Sequence, residues 1–248
     1  ARQRDFPAHV AMYYVIALGF YSEVSYREVL RCLLEGIQWL QGKHPEPKVV
    51  APASITQARE RLGWEVVRLL HDEVVKPIAS KGTQGAWFRQ WRLVGLDGST
   101  IDVPDEEENR NAFGFQTGPN GESAFPAIRF LSLVEIGTRV LFGSRMGPYL
   151  TSERALAEEV LPLLKSGMLC LADRGFYSFN TWRLASETGA DLVWRVKKSM
   201  VLPREKELED GSYLSRVYVS QKDQKQKLSG VVVRVVDYTL TGVQDAEP

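Results

Sequence analysis

The spacing of apolar residues changes once along the chain, at Trp91, and that change restricts the fold to a helical front joined to a mixed α/β body. Before it, apolar side chains recur at helical spacing. Ser25 and Glu28 form a capping box ahead of Tyr26, Val29, Leu30, Leu33, Leu34 and Ile37, and Gly42, Pro45 and Pro47 close that unit. Ser54 and Gln57 form a second box, opening one helix that carries Ile55, Ala58, Leu62, Val66, Leu69 and Val74 on one face. Trp39, Trp64, Trp87 and Trp91 are read as core and domain-junction residues. The uncharged run 10–20 is too short to span a bilayer and is read as a buried helix.

After Trp91 the pattern is that of strands. Residues 92–103 form an extended run holding Asp97, and a polar loop follows over 105–123. Residues 127–135 and 139–146 are two strands joined at Gly137 as a hairpin. Thr151 or Ser152 caps a helix to Leu164, whose last turn Pro162 bends, and the apolar strand 168–172 ends directly on Asp173. Ser178 caps the next helix, which stops near Gly189, and 191–196 returns to strand. Three strands, helix, strand, helix, strand is the order of a ribonuclease H-like mixed sheet, so the expected class is α/β, with a helical N-terminal domain and a β-strand insertion. The expected domains are 1–88 (helical), 89–199 (the mixed sheet, in part) and 200–248 (β-rich). Within the last, strands are expected at 212–219 and 230–240 around a Lys-rich turn, 221–227.

Composition narrows the function classes. With 248 residues, 44% of them hydrophobic and 25% charged, collagen-like, disordered and disulfide-scaffold chains are excluded. The two cysteines, Cys32 and Cys170, lie in segments read as buried and have no metal-ligand spacing, which points to a reduced cytoplasmic protein. Net charge is zero, but residues 1–96 carry 13 basic and 9 acidic side chains and the remainder 18 and 22. A basic front beside an acidic back permits a basic binding module next to an acidic, metal-attracting one.

In the expected sheet the first and fourth strands are neighbours, so Asp97 and Asp173 converge. Paired carboxylates repel one another unless a divalent cation lies between them. The plain alternative is that each Asp-Gly or strand-end Asp caps a turn. Asp102, five residues after Asp97, falls on the opposite strand face and is not counted as a ligand.

Leu96-Asp97-Gly98-Ser99-Thr100 and Leu171-Ala172-Asp173-Arg174-Gly175-Phe176-Tyr177-Ser178 resemble the first two acidic motifs of the DDE transposases of the insertion-element-4 family. The upstream stretch 13–40, with Phe20-Tyr21-Ser22 and Tyr26-Arg27-Glu28-Val29, is similar to that family's helical N-terminal domain. The resemblance implies a cut-and-paste transposase using Mg2+ or Mn2+, two ions in the complete enzyme, with Asp97 and Asp173 as catalytic and metal-binding residues. The third acid, a glutamate within a Tyr, Arg, Glu, Lys signature, is not in this chain. Glu205, Glu207, Glu209 and Glu247 lack that signature, so the chain as written is expected to bind metal poorly and to be inactive.

The resemblance further implies double-stranded DNA with terminal inverted repeats as partner, a homodimer on DNA, no membrane association, and a cytoplasmic, nucleoid-associated location. Arg174, Tyr177, Lys197 and Lys198 are candidate DNA contacts near the aspartates, weighed against an ordinary surface arginine, aromatic packing and a solvated lysine pair. Gln57, Arg59 and Arg61, with Thr56, form the exposed start of a recognition-like helix, weighed against ordinary polar cover. A catalytically incomplete DNA-binding fragment and a ribonuclease H-like nuclease unrelated to transposition are the competing functions.

Overall fold

In the computed structural model the described residues are 6–21, 23–42, 47–119, 121–226 and 230–238; Ser22, Pro45, Lys227, Glu247 and the end of the second tail strand lie outside them. The chain divides into two compact units, Ala1–Val74 and Val75–Pro248. The division falls before residue 88 because the segment after Val74 is tied to the sheet. The Ile78 and Ala79 amides donate to the Glu135 carboxylate at 3.0 and 2.9 Å, and Trp87 and Phe88 pair with the strand that follows.

The first unit holds four helices, α1 (Ala8–Leu18), α2 (Tyr26–Leu40), α3 (Pro52–Leu62) and α4 (Trp64–Val74). Tyr14, Val29, Leu30, Ile55 and Ala58 are at the centre of its core. The α2 cap is half a capping box: Ser25 Oγ accepts from the Glu28 amide at 3.3 Å, but the Glu28 carboxylate binds Arg31 instead of reaching back. The expected cap at Ser54 does not form. Pro52 occupies the first turn, where its missing N–H costs nothing, so the helix starts earlier. The single helix expected from Ser54 to Val74 is two, because Gly63 has φ 71° and stops α3. After that break the face carrying Val66, Leu69 and Val74 is exposed, as are Trp39 and Trp64, both 68% accessible and so not core residues.

The second unit is a mixed sheet with helices. Its strands are β1 (Trp87–Phe88), β2 (Trp91–Asp102), β3 (Phe115–Gly118), β4 (Gly121–Glu135), β5 (Val140–Pro148), β6 (Met168–Ala172) and β7 (Asp191–Trp194). β2 pairs antiparallel with β4 and β4 with β5, while β6 lies parallel to β2 and β7 parallel to β6. The polar stretch 105–123, expected as loop, contains α5 (Glu107–Phe113) and β3, hairpinned onto the start of β4.

α6 (Glu153–Val160), capped by Ser152, runs into a 3-10 turn at Leu161–Leu163 that contains Pro162. α7 (Phe179–Ser186) begins on a full capping box between Ser178 and Thr181. Apolar faces of both helices and the alternate residues Val94, Leu96, Leu131, Leu133, Cys170 and Ala172 make one core. A separate three-stranded sheet follows: β8 (Lys206–Glu207), β9 (Tyr213–Val217) and β10 (Val231–Val235), with β9 central. The stretch 221–226, expected as a turn, is a short helix, α8 (Gln221–Gln226). Of the cysteines, Cys170 is buried as expected, whereas Cys32 is half-buried.

Candidate active site

Parallel pairing of β2 with β6 puts Leu96 opposite Ala172, and both side chains are buried in the core. The next residue on each chain is an aspartate. Because successive side chains alternate, Asp97 leaves the sheet on the face away from the core, and adjacent parallel strands lie about 4.8 Å apart. Asp97 and Asp173 therefore emerge at neighbouring positions at the carboxyl end of the parallel strands, both exposed. The bland reading of each also has support: Asp97 Oδ1 accepts from the Gly98 amide at 2.9 Å, and the Asp173 carbonyl accepts from the Phe176 amide at 3.1 Å, closing a turn.

That turn is held rigidly. Phe176 is 4% exposed in the core, its carbonyl accepts from the Thr181 hydroxyl at 2.8 Å, and Arg154 Nε donates to the Gly175 carbonyl at 3.1 Å. Gly98 is constrained as well. A Cβ there would lie 3.0 Å from the Phe130 carbonyl oxygen and 3.6 Å from Glu153 Oε1, so glycine lets α6 and β4 close over the strand beside Asp97. Glu153 thus reaches this region, but on the helix face of the sheet.

Sequence reasoning missed Arg195. Its amide donates to the Ala172 carbonyl at 3.0 Å, and its guanidinium approaches Asp173 Oδ1 at 3.3 Å with both side chains roughly half exposed. The signal was the position directly after β7, the strand parallel to β6. Arg174 is exposed in the turn, and Lys197 and Lys198 are exposed beyond the end of β7 at the same end of the sheet. Tyr177 is half-buried against the core with its ring 6.3 Å from that of Trp182, and burial pushes its phenol above the usual range. Gln57, Arg59 and Arg61 lie in the other unit, all exposed on α3, with Arg59 over the Tyr26 ring at 5.5 Å.

Exposed aspartates directly after paired residues of adjacent strands are the donor type that Mg2+ accepts from protein, one or two carboxylates with the remaining positions left to water or phosphate. Among the described residues no group of three or more His, Cys, Asp or Glu is placed to hold a metal ion. No helix among them is long and apolar enough to cross a membrane.

Residues 1–72 match the family described as insertion element 4 transposase N-terminal. The chain is 25% identical over 229 residues to the Escherichia coli K12 transposase InsG for insertion sequence element IS4, covering 91% of this chain and 50% of that protein. It is 27% identical over 150 residues to the putative transposase InsZ of the same organism, covering 59% of this chain and 49% of that one. The chain thus spans about half the length of the curated relatives it matches. A piggyBac transposase in a synaptic complex with hairpin DNA aligns over 99% of this chain and 56% of its own, with 12% identity and a TM-score of 0.41.

Proposed function

We propose that the chain is part of an insertion-element-4-type transposase and carries the helical domain and part of the DDE-type catalytic domain of a cut-and-paste DNA transposase; its likeness to that family's N-terminal model and to InsG and InsZ supports this. The observation that supports the reading is the β2–β6 register, which pairs Leu96 with Ala172, the residues directly before Asp97 and Asp173. The strand order, three antiparallel followed by two parallel, supports a ribonuclease H-like sheet for this body.

Asp97 and Asp173 would hold Mg2+ or Mn2+, which when bound supplies charge neutralisation at the scissile phosphate and an activated oxygen nucleophile. The protein's own part is to fix the two carboxylates on a rigid strand and a rigid turn. Arg174, Lys197, Lys198 and Arg195 at the same end of the sheet place positive charge where a phosphodiester strand approaches. In this reading Arg195 exchanges its Asp173 contact for DNA phosphate when metal binds. Gln57, Arg59 and Arg61 on α3 supply polar contacts to the element's inverted repeats, and two copies act together on DNA as a homodimer in the cytoplasm, at the nucleoid.

A second reading is a DNA-binding fragment that does not cut. It is favoured by the lack of any third acidic side chain grouped with the pair among the described residues. Mn2+ titration followed by amide NMR tests the site directly. Resonances of residues 96–98 and 172–174 should broaden first, and the Asp97→Asn/Asp173→Asn double variant should lose that selectivity. Broadening centred elsewhere would remove the metal assignment, and strand nicking by the 248-residue chain would remove the second reading.

A further inference from the structure

We propose that the end of the sheet opposite the aspartates is a second DNA-contacting surface, built by the β1–β2 hairpin and the β4–β5 loop; it rests on the DNA reading above. Its first support is where the charge lies. Residues 1–74 carry 9 basic and 9 acidic side chains, so the excess of the front of the chain belongs to 75–96, a stretch that contains Lys76, Lys81, Arg89 and Arg92 and no Asp or Glu of its own. Arg92 is neutralised by the buried Glu135 carboxylate. Lys81 and Arg89 lie over aromatic rings instead, Lys81 at 3.8 Å from the Trp87 ring and Arg89 at 5.4 Å from the Phe88 ring, with no carboxylate partner among the described residues.

The second support is backbone conformation. Among the described residues the only non-glycine positions with positive φ are Arg89 (54°) and Arg139 (60°). Both are exposed and both sit in hairpin loops at this end of the sheet. The β4–β5 loop packs against the residue that precedes β1, since a Cβ on Gly137 would lie 2.5 Å from that of Ala86. Arg89 begins the two-residue loop between the paired Phe88 and Trp91, a position that favours glycine. The hairpin turns call for positive φ, but arginine is a costly choice there where glycine would serve, and such outliers cluster at binding sites.

The chemistry of the surface selects the ligand. Cations without carboxylate partners match phosphates, and the half-exposed Phe88, stacked on Trp91 at 6.3 Å, offers a face to an unpaired base. From Trp91 to Asp97 the strand runs about 20 Å, the length of about six base pairs, so one DNA segment held at the aspartates reaches the hairpin.

The Arg89→Gly/Arg139→Gly variant of the 248-residue chain separates binding from folding, because glycine fits both positions better than arginine. Its Tm should equal or exceed the parent's. Binding to a labelled 30-base-pair random duplex should show a salt slope shallower by about two, so the affinity advantage of the parent shrinks about tenfold between 50 and 200 mM salt. Phe88→Ala should weaken binding of a 12-nucleotide single strand about fivefold or more. If the parent binds duplex and the glycine variant shows the same affinity and slope, this surface is not a DNA site and the catalytic reading stands. If the parent binds neither probe, both readings fall. An unchanged single-strand affinity in Phe88→Ala overturns the stacking contact.

Discussion

Replacing Glu135 by alanine should cost more stability than any other polar truncation in the sheet unit. Its carboxylate is 0% exposed and accepts from the Ile78 amide at 3.0 Å, the Ala79 amide at 2.9 Å, the Thr138 hydroxyl and the Arg92 guanidinium. The Arg92 side chain is itself only 20% exposed, so removing Glu135 leaves a largely buried cation, the buried Ala79 amide and two partly buried donors without their acceptor. Breaking one side of such a pair typically costs about 3–5 kcal/mol, a large share of a domain's total. For a unit of this size that is a fall in Tm on the order of 10 °C. Urea denaturation of the parent, Glu135→Ala, Arg92→Leu and the double variant would measure it as a cycle. The double variant should recover much of the single loss, because no lone charge then remains buried. A Glu135→Ala loss below about 1 kcal/mol would refute the reasoning and mean that water reaches this site in the folded state.

Other expectations follow from single contacts. Gly137→Ala should destabilise by about 1–3 kcal/mol, because its Cβ would fall 2.5 Å from the Ala86 Cβ and 2.6 Å from the Ala86 nitrogen; thermal melting checks it. Burial pushes the Cys170 thiol up to about 12, so Ellman's reagent at pH 8 should titrate Cys32 promptly and Cys170 only on unfolding. Asp210 is held below the usual carboxylate range by the Ser212 hydroxyl and amide and by Arg234. A depressed pKa stabilises the folded state at pH values above the ordinary Asp range and loses that contribution as pH falls through the lowered value. The β8–β10 sheet should therefore loosen below about pH 4 in amide chemical shifts, and Asp210→Asn should flatten the profile.

Local chemistry determined the elements of this protein and left several of their partners open. The Met168–Ala172 strand and the Ser178 cap of α7 follow from sequence, since an apolar run and a Ser at a helix start act within a few residues. The pairing of the strand that holds Asp97 with the strand that ends before Asp173 was also legible, because the order of strands and helices leaves few ways to pair them. The unit boundary was not. It depends on Glu135 binding amides 57 and 56 residues earlier in the chain, in a stretch with no period of its own. Nor was the break at Gly63, where the apolar spacing continues through a turn that only the backbone angle reveals. The basic excess could be counted in the sequence, but only the tertiary structure assigned it to the sheet unit instead of the helical one. A count along the chain carries no information about which residues long-range pairing brings together.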